Sequence, residues 1–274
     1  MKRDIKLIGL DLDGTVLNDH KEIRPRVKEA IAKALQQGIV VLPATGRQLS
    51  GVPKQFLQIP GVRYALTANG AFVYDMEEKA PIHTDCFETK TALSLLEYLE
   101  GLDVMIAMYI QGDGYTQSMD FSGFEGVLSP NIIQYMQKTR VLVNSLANVV
   151  RQSEKRVEKF SILFKTEELR QKTLATLQAR GDNCTTSSIS MNLEINTATA
   201  NKGAGLLALA THLGLQRHQV MAVGDGGNDV EMLKAVGYGV AMGNAEPAVK
   251  AAADFVTLPC AEDGVAIAIE GILQ

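Results

Sequence analysis

Short apolar runs alternate with amphipathic stretches through the first 75 residues, and the same alternation resumes after about residue 189. Apolar runs bounded by Gly, Pro or Asp are typical of buried parallel strands, and the stretches between them repeat apolar residues with the period of an α-helix. This alternation predicts βαβ units and an α/β fold. The predicted elements are Ile5–Leu10, Val27–Leu35, Ile39–Ala44, Leu49–Leu57, Tyr64–Thr67, Leu206–Leu213, Val220–Val223, Val230–Val236, Tyr238–Ala241 and Ala248–Ala253.

The region between residues 83 and 188 has a different pattern. Two helical stretches, Thr91–Leu99 and Glu167–Ala179, lie among three strand candidates, Val104–Ile110, Arg140–Val143 and Lys159–Phe164. Strands and helices that do not alternate regularly are typical of an α+β domain. We therefore predict a discontinuous core domain, residues 1–82 and 189–274, interrupted by a separate α+β domain at 83–188.

Two carboxylates separated by one residue follow the first apolar run, in Asp11-Leu12-Asp13-Gly14-Thr15. Ligands of α/β proteins bind beyond the carboxyl ends of the strands, where this turn is expected. Two like charges about 4 Å apart repel by roughly 4 kcal/mol at an effective dielectric constant near 20, so both stay ionised only beside a cation. Oxygen ligands with an open face for a phosphate suit magnesium. Taken alone, the segment is equally well explained as a turn.

A second acidic turn, Gly224-Asp225-Gly226-Gly227-Asn228-Asp229, follows the apolar run Val220–Val223. Its carboxylates can supply further oxygen ligands for the same ion. Asn228 and Asp229 also suit the start of the next helix, where their side chains can cap free N–H groups. Asp225, which lies between glycines, has no such structural explanation.

Two weaker signals have the same character. Thr45-Gly46-Arg47 follows a predicted strand, and its hydroxyl and backbone N–H groups can receive phosphate oxygens, although an N-cap followed by a surface arginine explains it too. Lys202 precedes a helical pattern, where a cation opposes the helix dipole unless an anion is close. A lone lysine is usually solvated, so Lys202 gains importance only from its neighbours.

Taken in their order along the chain, Asp11–Thr15, Thr45, Lys202 and Gly224–Asp229, these four motifs resemble the signature of the haloacid dehalogenase (HAD) superfamily of phosphohydrolases. Further segments resemble its Cof-type subfamily of bacterial sugar-phosphate phosphatases: Thr45-Gly46-Arg47, Asn69-Gly70-Ala71 and Glu262-Asp263-Gly264-Val265-Ala266. The resemblance covers essentially the whole chain, with the stretch from about 83 to 188 matching in outline. It implies a Rossmann-like, doubly wound parallel sheet as the core and an inserted α+β cap domain.

The resemblance also implies roles for the acidic residues. Asp11 would attack phosphorus and form a phospho-aspartyl enzyme. Asp13 would protonate the leaving oxygen and then activate the hydrolytic water. Mg²⁺ would be bound by the Asp11 side chain, the Asp13 backbone carbonyl and Asp225. Asp229 would be either a further metal ligand or an acceptor that holds Lys202 or water.

The same resemblance implies a set of phosphate-binding groups that stabilise developing negative charge. Asn69 and Arg47 are expected near the substrate. The donors to the phosphoryl oxygens would be Thr45, Lys202, Asn228 and the backbone N–H groups of Leu12 and Gly46.

Composition narrows the class of protein without identifying a reaction. The chain has 274 residues, 46% of them hydrophobic, and a formal net charge of −4, which argues against nucleic acid as the principal ligand. Cys86, Cys184 and Cys260 are too scattered for a CxxC metal site, and their odd number does not favour a disulfide framework. We expect free thiols in a cytoplasmic protein, with no membrane-spanning segment.

The leading functional hypothesis is a magnesium-dependent phosphatase of small phosphorylated metabolites, most simply sugar phosphates. Pyridoxal phosphate or flavin mononucleotide are alternative substrates, and a phosphomutase would use the same phospho-aspartate chemistry. Two hypotheses from other classes are a phospho-aspartate signalling domain and a catalytically silent metabolite-binding protein. The sequence leaves open the physiological substrate, the cap residues that select it and the oligomeric state.

Overall fold

The computed structural model describes residues 3–124, 126–153, 156–187 and 191–274. These residues form two compact units. The core unit contains residues 3–46, 52–83 and 201–274, and the inserted unit contains the described residues among 47–51 and 84–200.

A five-stranded parallel sheet forms the centre of the core unit, with the order β14-β13-β12-β1-β2. Its inner strands are buried on both faces, as the continuous apolar runs predict. Four of these strands confirm the prediction from the sequence, and β14 had not been predicted. The strands are β1 (Leu7–Leu10), β2 (Val40–Pro43), β12 (Val220–Gly224), β13 (Tyr238–Ala241) and β14 (Phe255–Val256).

Helices of the core unit pack their apolar faces into one hydrophobic cluster with the sheet. Pro25 occupies the first turn of α1, where its missing N–H costs nothing, and the buried residues of α1 follow the helical period. Helix α1 packs against α10, and α7 packs against α8. These helices are α1 (Pro25–Gln36), α2 (Lys54–Leu57), α7 (Lys202–His212), α8 (Val230–Ala235), α9 (Pro247–Ala252) and α10 (Gly264–Leu273).

The stretch from residue 49 to 84 differs from the prediction in two places. The helix predicted over Leu49–Leu57 is a short 3-10 turn at Leu49–Gly51 followed by α2, because Pro53 cannot continue a helix hydrogen-bond ladder. The predicted strand Tyr64–Thr67 exists as β3, but it lies in a separate three-stranded sheet of order β3-β4-β5. Its partners are β4 (Phe72–Asp75) and β5 (Ala80–Thr84).

The inserted unit contains a six-stranded sheet of order β10-β11-β9-β6-β7-β8. Its neighbouring strands are antiparallel except for the parallel pair β7–β8. The strands are β6 (Val104–Ile110), β7 (Asp113–Thr116), β8 (Arg140–Leu142), β9 (Lys159–Phe164), β10 (Asn183–Thr186) and β11 (Asn192–Thr197).

Three of the four helices described in this unit provide a second hydrophobic core with one face of that sheet, whereas the fourth, at residues 130–139, packs in a smaller cluster with Met105 and Leu163. Residues Phe160, Ile162 and Phe164 alternate along β9 and enter this core, as strand geometry requires. The helices are α3 (Thr89–Glu100), α4 (Pro130–Thr139), α5 (Leu146–Gln152) and α6 (Glu167–Arg180).

The limits of the units differ from the predicted limits, which were 82/83 and 188/189. Residues 188 and 189 lie outside the described residues, but β11 was assigned to the core domain and instead pairs with β9 in the inserted sheet. Its polar residues concealed the strand pattern. The unit therefore ends at Ala200, and the short segment Arg47–Gly51 also belongs to it.

Over the described ranges, none of the helices combines the length and apolar character needed to cross a bilayer.

Candidate active site

The acidic residues are brought together by the pairing of β1 with β12. Leu10 lies opposite Val223 in the parallel register, so the turns after both strands emerge at the same edge of the sheet. The Asp11 N–H donates to the Val223 carbonyl at 2.9 Å. Asp11 and Asp225 therefore project from adjacent strand ends, as the carboxyl-end rule for α/β sheets predicts.

Lys202 connects the acidic residues of the two turns. Its side chain is fully buried, and Nζ donates to Asp11 Oδ1 and to Asp229 Oδ1, both at 2.6 Å. Lys202 is the first residue of α7, whose N-cap Asn201 accepts the N–H of Ala204 at 2.9 Å. The ion pairs with two carboxylates explain why a lysine is tolerated at this helix N-terminus.

Asp229 uses its second oxygen to shape the turn in which it lies. Oδ2 accepts the backbone N–H groups of Asp225 at 3.0 Å and Gly226 at 2.9 Å. Both oxygens of this fully buried carboxylate are therefore engaged, one by Lys202 and the other by the turn.

Negative charge exceeds positive charge in this cluster. Asp11, Asp225 and Asp229 each offer a carboxylate oxygen, and these atoms lie within 4.8 Å of one another. Three ionised carboxylates and the Lys202 ammonium leave two negative charges uncompensated. Carboxylate oxygens with an excess charge of two are the donor set that a hard divalent cation such as Mg²⁺ requires, so the residues fit this metal.

The excess of negative charge, together with burial, shifts the pKa values of the clustered acids upward. Burial raises the pKa of Asp11 well above its ordinary value, and Asp229 and Asp225 add to this effect against the opposing charge of Lys202. Burial also raises the pKa of Asp225 to about 6, although the Thr15 hydroxyl lowers it. Burial disfavours the Lys202 cation, yet Asp11 and Asp229 raise its pKa. Keeping Asp11 ionised at neutral pH thus requires further positive charge.

Asp13 lies apart from this group of carboxylates. Its side chain is half-exposed, and Oδ1 accepts Lys21 Nζ at 2.7 Å. Lys21 adopts a left-handed backbone conformation with φ of 62°. Lys21 could not be predicted from the sequence, because a lysine in a polar turn carries no distinguishing pattern.

The predicted phosphate-binding residues of the core unit form a connected network. Thr45 is buried after β2, and its carbonyl accepts the Asn69 N–H at 3.1 Å. Asn228 Nδ2 donates to Asn69 Oδ1 at 3.1 Å. Gly70 has a φ of 94°, and a Cβ there would overlap the Asn201 carbonyl, so glycine permits this loop to approach the start of α7.

Leu12 and Gly46 contribute through the backbone. Leu12 is fully buried, and its carbonyl accepts the N–H groups of Val16 at 3.0 Å and Leu17 at 2.8 Å, which closes the turn after β1. Gly46 follows Thr45 and is the last residue of the first segment of the core unit.

Arg47 differs from the other predicted site residues because it belongs to the inserted unit. Its guanidinium lies 4.8 Å from the centre of the Tyr135 ring, and Nη1 donates to the Gly51 carbonyl at 3.2 Å.

Two residues that the sequence analysis did not select hold the Asp225 carboxylate. Thr15 Oγ1 donates to Asp225 Oδ1 at 2.6 Å, and Asn244 Nδ2 donates to Oδ2 at 3.3 Å. Asn244 lies shortly after β13, which neighbours β12. The sequence signal for Asn244 was its place as a polar residue after β13, a third strand that ends at the same edge of the sheet.

A five-stranded parallel sheet with an inserted α+β unit and an acidic cluster at its carboxyl edge is a HAD-like architecture. Residues 8–269 match the haloacid dehalogenase-like hydrolase family, and the chain belongs to that family. The predicted fold class is confirmed: the core is HAD-like and Rossmann-like, and the inserted unit corresponds to an α+β cap domain.

Relatives of this chain are phosphatases. It is 30% identical to the Bacillus subtilis 5-amino-6-(5-phospho-D-ribitylamino)uracil phosphatase YcsE, over 97% of this chain and 95% of that protein. It is 29% identical to the Escherichia coli pyridoxal phosphate phosphatase YbhA, over 95% of this chain and 96% of that protein. A haloacid dehalogenase-like hydrolase structure from B. subtilis aligns with a TM-score of 0.84 and 28% identity, covering 97% of this chain and 99% of that one. The predicted class of enzyme, a phosphatase, is confirmed.

Proposed function

We propose that this phosphatase is magnesium-dependent and removes phosphate from small phosphorylated metabolites through a phospho-aspartyl intermediate on Asp11. The observation that carries the proposal is the buried cluster of Asp11, Asp225, Asp229 and Lys202 with its two uncompensated negative charges.

Asp11 is the nucleophile in this proposal. It is nearly buried at the end of a rigid strand, and the bond from Lys202 to Oδ1 fixes the orientation of the carboxylate. One carboxylate oxygen attacks phosphorus in line as the bond to the leaving oxygen breaks, so that the phosphoryl group passes to Asp11. Capture on the enzyme divides one difficult displacement into two easier ones.

Asp13 is the general acid and base in this proposal. Its carboxyl group protonates the departing oxygen in the first step, and the resulting carboxylate removes a proton from water in the second. Water then attacks phosphorus and releases phosphate and free Asp11. A half-exposed side chain whose ion pair with Lys21 lies at the surface is able to turn toward the reacting groups, because exposed ion pairs are weak.

Mg²⁺ would be held by the Asp11 and Asp225 carboxylates and the Asp13 backbone carbonyl. When bound, it supplies positive charge that screens Asp11 from the substrate phosphate and stabilises the transferring phosphoryl group. Asp229 has already committed both oxygens to Lys202 and to the turn at Asp225. We therefore assign Asp229 to holding Lys202 and that turn, not to direct metal contact.

The remaining core-unit residues bind the phosphoryl oxygens. Lys202 supplies a fixed positive charge, and the Asn69 side chain accepts one amide hydrogen of Asn228, which orients that amide. Preorganised donors of this kind stabilise developing charge without reorganisation during the reaction. The proposed donors are Thr45, Lys202, Asn228 and the backbone N–H groups of Leu12 and Gly46. A substrate contact by Arg47 stays a prediction.

Sugar phosphates are the proposed first class of substrate. The name of the B. subtilis relative specifies a phosphorylated ribityl chain, which is a sugar-derived phosphate, and the E. coli relative acts on pyridoxal phosphate. Pyridoxal phosphate and flavin mononucleotide are therefore the alternatives to test beside hexose and pentose phosphates.

The test measures phosphate release from sugar phosphates, pyridoxal phosphate, flavin mononucleotide and nucleotides, with Mg²⁺ and with a chelator. Asp11→Asn is the inactive variant, and Asp19→Asn, at an exposed position on the following turn, is its matched control. We expect release that needs Mg²⁺, persists in Asp19→Asn and disappears in Asp11→Asn. Full activity in chelator, or in Asp11→Asn, contradicts the proposal. Phosphate transfer within a sugar without release would identify a mutase.

A further inference from the structure

Asn244 joins three separate segments at the carboxyl edge of the core sheet. Its Nδ2 donates to the Gly14 carbonyl at 2.9 Å and to Asp225 Oδ2 at 3.3 Å. Its Oδ1 accepts the N–H of Cys260 at 2.8 Å. The Gly14 contact lies in the turn that carries Asp11 and Asp13, so one side chain links both acidic turns.

The chemistry of the three partners requires an amide at this position. The Cys260 N–H can only donate, whereas the Gly14 carbonyl and an ionised Asp225 can only accept. A carboxamide has one acceptor oxygen and two N–H donors, which matches all three partners. An aspartate here would place a negative charge beside two acceptors, the Gly14 carbonyl and the Asp225 carboxylate. An alanine would remove the hydrogen bonds to all three groups.

Asp225 is restrained from several directions at once. Thr15 holds Oδ1 at 2.6 Å while Asn244 holds Oδ2. Gly14 has a φ of 80°, and a Cβ at that position would overlap the Asp225 carboxylate, so glycine allows the two turns to touch. Asn244 is exposed to solvent, yet it completes the contacts of a half-buried carboxylate.

We propose that Asn244 is a positioning residue that orients Asp225 for divalent cation binding and keeps the Gly14 turn in register with it. This inference rests on the proposed role of Asp225 as a metal ligand. Groups that orient a metal ligand by hydrogen bonds contribute about 10- to 100-fold in metal affinity. Because the contact to Asp225 is long and Asn244 is exposed, we expect the lower end of that range, about tenfold.

The test is calorimetric titration of the protein with Mg²⁺ alone. Asn244→Ala is the main variant, and Asn244→Ser, whose side chain is too short to reach Asp225, replaces it if the alanine variant does not fold. Asn18→Ala is the matched control, because the Asn18 side chain also bonds to the backbone of turns in the core unit: its Oδ1 accepts the N–H groups of His20 and Glu22. We expect about tenfold weaker Mg²⁺ binding in Asn244→Ala and unchanged binding in Asn18→Ala.

A second variant separates positioning of Asp225 from support of the Cys260 turn. Cys260→Pro removes the backbone N–H that donates to Asn244 Oδ1. It leaves in place the hydrogen bond from Asn244 Nδ2 to Asp225. Cys260 begins a 3-10 turn, and the preceding Pro259 has a ψ of 159°, a conformation compatible with a following proline. We expect Mg²⁺ affinity of this variant within about twofold of the wild type, since no group on Asp225 is removed.

Substrate kinetics at saturating Mg²⁺ complete the test. We expect KM for the phosphorylated substrate to be unchanged in Asn244→Ala, because the proposed phosphate donors are intact. Equal Mg²⁺ affinity in wild type and Asn244→Ala, or an equal loss in Asn244→Ala and Cys260→Pro, overturns the positioning role. Absence of Mg²⁺ binding in the wild type would instead overturn the proposed metal dependence, and the inference with it.

Discussion

Replacing Glu158 by glutamine should stabilise the inserted unit at alkaline pH and change little at acidic pH. Glu158 is only 1% exposed, and Oε1 accepts the Gly112 N–H at 3.1 Å in the turn between β6 and β7. Among the described residues, Oε2 has no hydrogen-bond partner. Burial raises the pKa of this carboxyl to about 8, and Asp113 adds to the effect against the N–H groups of Gly112 and Gln111.

The sign follows from the two states. The carboxyl ionises near its ordinary pKa of 4.5 when the chain is unfolded and keeps its proton to about pH 8 when folded. Between these values the folded state binds more protons at this carboxyl, so the contribution of Glu158 to the free energy of unfolding is largest below pH 4.5 and falls as the pH rises to about 8. Each unit of pKa difference corresponds to about 1.4 kcal/mol, so the loss of stability caused by ionising Glu158 has an upper limit of about 4 to 5 kcal/mol.

Glutamine keeps an acceptor for the Gly112 N–H and cannot ionise, so the variant escapes this loss. We expect equal stability near pH 5 and a gain of about 2 kcal/mol or more near pH 8.5. Hydrogen exchange of β6 and β9 amides at both pH values, corrected for intrinsic exchange rates, reports this local stability. Glu97→Gln, at an exposed position on α3 in the same unit, is the control. A gain of equal size at both pH values, or none at either, would refute the reasoning.

Two further predictions concern the candidate active site. Lys202→Met should lower the free energy of unfolding in metal-free buffer by about 3 to 5 kcal/mol, because two buried carboxylates lose their cation. Denaturant titration beside exposed Lys234→Met checks this, and a loss no larger than the control's would contradict it. Asp13→Asn should release one equivalent of p-nitrophenol from p-nitrophenyl phosphate and then stall, since this leaving group needs no acid but dephosphorylation needs a base. Rapid-quench kinetics would show a burst, and undiminished steady-state turnover would exclude the assigned role.

The parallel sheet of the core unit could be predicted because its strands are buried on both faces. Val220–Gly224 and Tyr238–Ala241 read as continuous apolar runs, and each ends at a turn with a recognisable change of composition. The grouping of Asp11 with Asp225 then followed from the rule that ligands bind at the carboxyl ends of such strands.

The inserted unit was less predictable because its sheet buries several polar side chains. In β11, Asn192, Glu194 and Asn196 alternate with apolar residues, and all three are nearly inaccessible to solvent. Glu194 is buried through its ion pair with Lys159 Nζ at 3.0 Å, a long-range contact that no local pattern reveals. Such residues resemble a solvated loop when the sequence is considered alone.

Asn244 and Thr15 escaped selection for a related reason. Each acts through a hydrogen bond to Asp225 from a different turn of the chain. Polar residues of this type are common in turns, so residue type alone does not separate a positioning residue from an ordinary turn residue.

Covalent phosphorylation of Asp11 is the central claim, and its most direct test is to locate the phosphoryl group on the protein. Asp13→Asn would be mixed with p-nitrophenyl phosphate and Mg²⁺, quenched in acid, and digested for peptide mass spectrometry. We predict one phosphoryl group on the peptide that contains Asp11, removable by hydroxylamine as an acyl phosphate is. A phosphoryl group on another residue, or turnover of the wild type with no phosphorylated species in either protein, would contradict Asp11 as the nucleophile.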